Sequence, residues 1–301
     1  MAVALSLEGS FGFALQETKG TYVAPSTWLP LTGVNADHGE TLSWKKNYVV
    51  LDTADGRAYQ TSYYSAGEWA EGSVRVPIVP GSLSSLFSWI QDRDVDSQGK
   101  WASILVDCIN DVKKLTDVKV RTATFDFVKG EPVTCSLELC GLRMERGTSA
   151  TPSIPVAAPY VFREAKVEIA TAGGALVEDV NCEAIQVVLD NVVEDPEEGL
   201  RLRESGEPLQ LYNLAGVRCR GALSRDFVDS KVFADFAAGQ EAALRLTLER
   251  GATVATVTMP RVLYTSSDLG LPGSHERRIS EKVDFVALGS TDGLTAPVVL
   301  A

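Results

Sequence analysis

A chain of 301 residues is long enough for two ordinary domains, and 45% hydrophobic, 23% charged and 8% aromatic residues place it among folding globular proteins, away from disorder. No apolar run approaches the ~18 residues that cross a bilayer, and the start MAVALSLEGSF lacks the basic end and long apolar stretch of a secretion signal, so the chain is expected to stay in a cytosol. A formal net charge of −12 without a basic patch excludes tight binding to nucleic acid or an anionic membrane, although an acidic surface would let DNA slide past.

Along the chain, short period-two alternations bounded by Gly, Pro, Asn and Asp predict antiparallel sheets. The stretch KNYVVLDTADGRAYQTSYYSAGEW, residues 46–69, reads as a long hairpin turning at Asp55 and Gly56, with Tyr48, Tyr59, Tyr63 and Tyr64 around the turn. In EGSVRVPIVPGSLSSLFSWI, residues 71–90, a strand led by Gly72 passes into a helix with Ser82 as its cap and Leu83, Leu86, Phe87 and Ile90 on one face. Strands are expected from Trp101 and Asp117, and a last one, EPVTCSLELCG, turns Val133, Cys135, Leu137 and Leu139 inward. The segment GTSATPSIPVAAPY, residues 147–160, with Pro152, Pro155 and Pro159 among small residues, reads as an extended connector. A domain boundary is placed there, giving domains 1–150 and 151–301.

The second half makes the same gestures. AGVRCRGALSRDFVDSKVFADF, residues 215–236, gives a strand led by Gly216, then a helix with Asp229 in the capping place, Val228, Val232 and Phe236 along one side, and Gly239 as its stop. Leu244, Leu246 and Leu248 alternate in the following strand, another begins at Ala252, and RRISEKVDFVALG turns Ile279, Val283, Phe285 and Ala287 inward. Gly216 lies 144 positions after Gly72, and Gly289 lies 148 after Gly141. The order of elements therefore points to a diverged tandem duplication. The expected fold is mainly β: two tandem sandwich or barrel domains, each with a short flanking helix.

Chemistry is sparse. The five cysteines (Cys108, Cys135, Cys140, Cys182, Cys219) have irregular spacing and no CxxC pair, and all five read as small buried apolar residues. His38 and His275 both sit in polar, loop-like surroundings, and no nucleophile elbow, phosphate loop or zinc helix appears. The acidic run VVEDPEEG at 192–199 reads as a solvated turn, and Asp92, Asp94 and Asp96 lack the downstream bidentate Glu of a calcium loop. No catalytic residue, metal site or cofactor is expected.

The motifs QETKGTYVAPSTWLPLTG (residues 16–33), ETLSW (40–44) and GSVRVPIVPGSLSSLFSWI (72–90), in that order, resemble the start of one tail tube family of long-tailed bacteriophages. The likeness covers most of residues 10–145, and the second half looks like the same domain without the introductory segment. The resemblance implies a non-enzymatic virion protein, assembled in the host cytoplasm, whose sheets join side by side into rings that stack as a hollow conduit for DNA. Single-domain relatives form hexameric rings; a two-domain chain would close the same circle as a pseudo-hexameric trimer. The implied partners are copies of itself, the tape-measure protein, the tail terminator and the distal tail proteins. Within that picture the Tyr-rich hairpin is expected to touch the next ring, because Tyr is favoured at interfaces. Alternatives are a terminator or distal adaptor, a sandwich that binds a glycan or host surface, and a hydrolase on the same scaffold.

Overall fold

The computed structural model describes residues 9–32, 39–51, 62–94, 96–108, 111–155, 157–171, 174–200, 206–270, 278–291 and 295–301. The first half runs β1 (Ser10–Leu15), β2 (Thr27–Pro30), β3 (Ser43–Leu51), β4 (Ser62–Pro77), α1 (Ser82–Gln91), β5 (Ala102–Asp107), β6 (Val112–Val128) and β7 (Thr134–Arg146). After a 3-10 turn at Phe162–Glu164, the second half runs β8 (Ala165–Ala170), β9 (Val177–Glu178), β10 (Cys182–Asp190), β11 (Arg218–Asp226), α2 (Lys231–Ala238), β12 (Ala242–Arg250), β13 (Thr253–Gly270) and β14 (Ser280–Ala287). A short β15 (Val299–Leu300) pairs with β13. The protein is mainly β with two short helices, as expected, and all strands join one fifteen-stranded antiparallel sheet.

Neighbouring strands follow the order β2-β1-β5-β6-β7-β4-β3 in the first half and β9-β8-β12-β13-β14-β11-β10 in the second, strand for strand the same path. Even the irregularities coincide. A bulge falls between Ala102 and Ile104 opposite β6, and between Ala242 and Leu244 opposite β13; a second falls between Val120 and Thr122, and between Tyr264 and Ser266. Bulges re-aim side chains and fix register, so the agreement matches the halves residue by residue.

That register moves two of the sequence landmarks. Gly72 stands opposite Leu139 and Gly221 opposite Phe285, so Gly221 and not the exposed Gly216 is the counterpart of Gly72. Likewise Gly141 and Ala287 match, both facing the residue after the first bulge (Val118, Val262), and Gly289 lies two positions beyond. Each paired glycine is required by crowding: a Cβ on Gly72 would lie 2.6 Å from the Leu42 backbone, and one on Gly221 2.4 Å from the Gln186 carbonyl oxygen.

Both helices form on their apolar faces. In α1, Leu83, Leu86, Phe87 and Ile90 are buried as the spacing predicts, and Phe87 stacks on Phe125 with ring centroids 5.2 Å apart. Ser82, however, is the first helical residue rather than the cap; Gly81, left-handed at φ 86°, holds the cap position, while the Ser82 hydroxyl donates to the Val79 carbonyl. In α2 the cap position belongs to Ser230, and Asp229 beside it accepts the Lys231 N–H at 3.3 Å. Gly239 ends the helix in the left-handed conformation, as read from the sequence. Val232 is buried, but Val228 is exposed because it precedes the first helical turn. Cys135, Cys140 and Cys219 are buried, whereas Cys108 and Cys182 are only half-buried, correcting the expectation for those two.

One layer of the duplicated core has changed character. Leu29, Val76, Leu86 and Cys135 are buried apolar residues of the first half. By register and helix position, the second half sets Asp179, Arg225, Asp235 and Glu281 in their places, the last three buried and Asp179 half-buried with its carboxylate turned inward. Arg225 lies 3.2 Å from Asp179 and 3.6 Å from Glu281, and the Ser267 hydroxyl donates to Glu281 at 3.1 Å. Burial holds the Glu281 carboxyl above its ordinary range.

Candidate assembly interface

The halves are joined through a strand edge. β10, at the end of the second half's sheet, pairs antiparallel with the C-terminal part of β6 over seven register pairs, from Ala184 opposite Val128 to Asp190 opposite Thr122. Alternation fits both partners. Ile185, Val187 and Leu189 point into the core with Ala123, Phe125 and Phe127, while Gln186 on the other face donates to Asp126 at 2.7 Å. Leu83 and Phe87 of α1 meet Leu246 and Leu248 of β12 across the same seam, so a single apolar core runs through both halves.

A clasp reinforces this joint. Residues 191–200 and 206–217, between β10 and β11, fold back over the first half, where Val193 and Leu211 bury Cys140 and Leu142. Lys119 is sealed beneath them at 1% exposure, its ammonium donating to the Leu211 carbonyl and the Asn213 side-chain oxygen, each at 2.7 Å, and facing the Trp101 ring at 4.6 Å. The introductory motif joins in. Lys19 donates to the Leu209 carbonyl and to Gln210, and the Gly20 N–H to Asp117 at 2.7 Å. Asn191 donates to the Val120 carbonyl at 2.8 Å.

Burial lowers the Lys119 pKa to about 8. Because the folded value lies below that of the unfolded chain, the folded state binds fewer protons between about pH 8 and 10.5, and this lysine adds stability as pH rises through that window. The expected gain, measured by denaturant unfolding as the difference from Lys119→Met, is on the order of 3 kcal/mol. A pH profile identical in the two proteins would refute it.

Among the described residues, two longer edges stay open besides the short outer strands β2 and β9. Among the described residues β3 pairs only with β4, and the stretch 266–270 of β13 pairs only with β14. These are the counterparts of the two strands that form the internal joint. Trp44 on β3 is 46% exposed and Leu269 on β13 is 45% exposed, although their counterparts Leu189 and Phe125 are buried.

Of the hairpin residues singled out, Tyr48, Tyr63 and Tyr64 are all exposed on the ribbon formed by β3 and β4, with Tyr48 and Tyr63 edge to face at 5.6 Å. Asp55, Gly56 and Tyr59 lie outside the described residues, as do His38 and His275. Trp28, Trp69 and Trp89 are buried, so the tryptophans do not converge on a shallow binding site. Asp94 accepts the Asp96 and Gln98 N–H groups at 3.0 and 2.7 Å, the work of a turn, and Asp195 of the acidic run pairs with Arg121 at 2.9 Å. Sequence reasoning missed Lys119 and the ionic layer. Lys119 interrupts VKV within a strand buried on both faces, which alternation alone cannot reveal.

Among solved structures, a chain in the cryo-EM structure of the anti-feeding prophage baseplate, 6-fold symmetrised, is similar at 12% identity and a TM-score of 0.32, covering 51% of this chain and 97% of that one. No curated protein matches. One family model, described as phage tail tube protein, spans residues 6–294, across both halves and the joint between them, and the chain belongs to that family.

Proposed function

We propose that this protein is the structural subunit of a phage tail tube, and that its copies join head to tail into rings that stack around a hollow conduit for DNA. The observation that carries this reading is the internal joint: one unit's edge strand already completes the other unit's sheet, and the reciprocal edges, β3 and the end of β13, stay unpaired. A heterologous contact of this kind propagates, and closes a ring when its rotation divides the circle. With two matched units per chain, three copies supply six wall positions, a trimer with pseudo-sixfold symmetry. Solvent-exposed edges of this length are a hazard to a soluble monomer, and pairing between copies uses them.

The sheet offers a polar face to such a channel. Across the joint, Glu71, Glu138, Asp126 and Asp284 stand on the side away from the core interleaved with Arg75, Arg218, Arg220 and Lys282, and Arg75 lies 3.9 Å from Asp126, so carboxylates break up the cationic groups a polyanion would grip. The role requires no catalysis. Its partners would be further copies, the enclosed tape-measure protein, and the terminator and distal proteins that cap the tube, within a virion assembled in the host cytoplasm.

Electron microscopy and mass measurement of the purified protein test this: rings or tubes with an open centre are expected, and a compact monomer even at high concentration together with tail proteins would sink it. Tyr48, Tyr63 and Tyr64 on the ribbon of β3 and β4, with Asp55, Gly56 and Tyr59 of the sequence between these strands, are assigned to the contact between successive rings. Deleting residues 52–60 is expected to leave rings that no longer stack. Full-length tubes from that deletion would remove the assignment.

A further inference from the structure

The internal joint also supplies a residue-by-residue address for the external one. Trp44 faces Ala70, which faces Gly141; Leu189 faces Cys219, which faces Ala287. Because Gly141 and Ala287 are matched, Trp44 stands where Leu189 does. On the receiving strand, Thr122 and Ser266 each follow the second bulge, so Ala123 matches Ser267 and Phe125 matches Leu269. Inside the chain, Leu189 pairs with Ala123 and Val188 with Thr124.

Resting on the head-to-tail reading above, we propose that β3 of one copy adds to the free edge of β13 in the next copy with Trp44 opposite Ser267 and Ser43 opposite Asp268. Trp44 is the anchor of this contact. Its side chain lies on the core-facing side of β3, the side Leu189 occupies in β10, and it finds there a small partner, as Leu189 does in Ala123. Its diagonal neighbour would be Leu269. In the first half the same position, Phe125, is covered by Phe87 and Val187; in the second, Phe236 holds the place of Phe87 by helix position, no described strand holds the place of β10, and Leu269 is 45% exposed. The missing apolar cover is what the exposed Trp44 ring of the neighbouring β3 brings. On the polar face, Lys45 would lie diagonal to Asp268, an attractive cross-strand pair where a slip by one residue would instead turn Trp44 outward.

Cysteine pairs read the register directly. Ser43→Cys with Asp268→Cys places two thiols on directly opposed residues of neighbouring copies, within disulfide reach; Ser43→Cys with Ser266→Cys reports a two-residue slip. After mild oxidation of assembled material, the first pair is expected to give covalent oligomers on a non-reducing gel at least ~5-fold above both the second pair and the wild-type protein with its five native cysteines. Trp44→Ala, which removes a ring already half in solvent, is expected to keep the monomer's circular dichroism and melting point while losing ring formation. Rings whose cross-links favour the slipped pair, or are absent from both, overturn this register and leave the tube reading intact. Rings that persist in Trp44→Ala overturn the anchor. Failure of the wild-type protein to assemble at all overturns the tube reading itself, and this register with it.

Discussion

Gly221→Ala is expected to destabilise the protein by about 3 kcal/mol, the upper part of the range for overpacking a well-filled interior. The backbone at Gly221 is ordinary, so the cost is purely steric: a new Cβ would lie 2.3 Å from the tip of the Phe285 ring and 2.4 Å from the Gln186 carbonyl oxygen. Neither can yield cheaply. Phe285 is 1% exposed, and Gln186 belongs to β10, whose other edge holds the first half of the chain. The substitution therefore strains the joint from inside. Thermal unfolding is expected to fall by roughly 5 °C. Gly251→Ala is the control: Gly251 has φ +60° and open space around it, and replacing it carries only the conformational penalty of about 1 kcal/mol. Equal losses in the two variants would show that the close approach at Gly221 is relieved without cost.

Removing Arg225 should have an effect of similar size for a different reason. Among the described residues it is the cation set against Asp179 and Glu281 in this layer, and Glu281 has no exposed surface. Arg225→Met leaves those carboxylates without their counterion, which costs 3–5 kcal/mol for a pair of this kind, by order of magnitude about 4 kcal/mol. The pH dependence gives the mechanism away. Glu281 has a folded pKa raised by burial, so between the ordinary carboxyl range and that raised value the folded state holds more protons than the unfolded one, and stability falls as pH rises. Without Arg225 the window extends further upward, so the variant is expected to lose more at neutral pH than near pH 5, as read by denaturant midpoints. A loss independent of pH would point to packing alone.

The first half contains the control for that experiment. Asp179→Leu, Arg225→Val, Asp235→Leu and Glu281→Cys together install the residues of the matched apolar layer, and replacing a complete buried ionic group by apolar side chains is often neutral or stabilising. The quadruple variant is expected to recover most of what Arg225→Met loses. If the ionic layer instead fixes how α2 sits, the recovered stability will come with altered assembly.

Several features of the molecule were legible in the chain alone. Alternation placed β7, β12 and β14, the Leu83–Leu86–Phe87–Ile90 spacing placed the buried face of α1, and Gly239 marked the end of α2. Local physics decides such things: side chains repeat every two residues on a strand and about every 3.6 on a helix, and a left-handed helix end favours glycine. The motifs carrying the family resemblance are likewise local, and the family model spans nearly the whole chain.

Register was not legible. Matching Gly72 to Gly216 by spacing missed Gly221 because the path from Leu189 to Cys219 is four residues longer than that from Trp44 to Ala70, whereas a bulge in a hydrogen-bonded ladder fixes which residues oppose each other. Nor could composition show that Lys119 lies sealed under a clasp, or that Arg225 and Glu281 meet inside a core, since each depends on what a distant segment lays over it. Sequence determined which strands and helices form; only the tertiary structure decided which edges are already used, because an edge is satisfied or left open by partners far away in the chain.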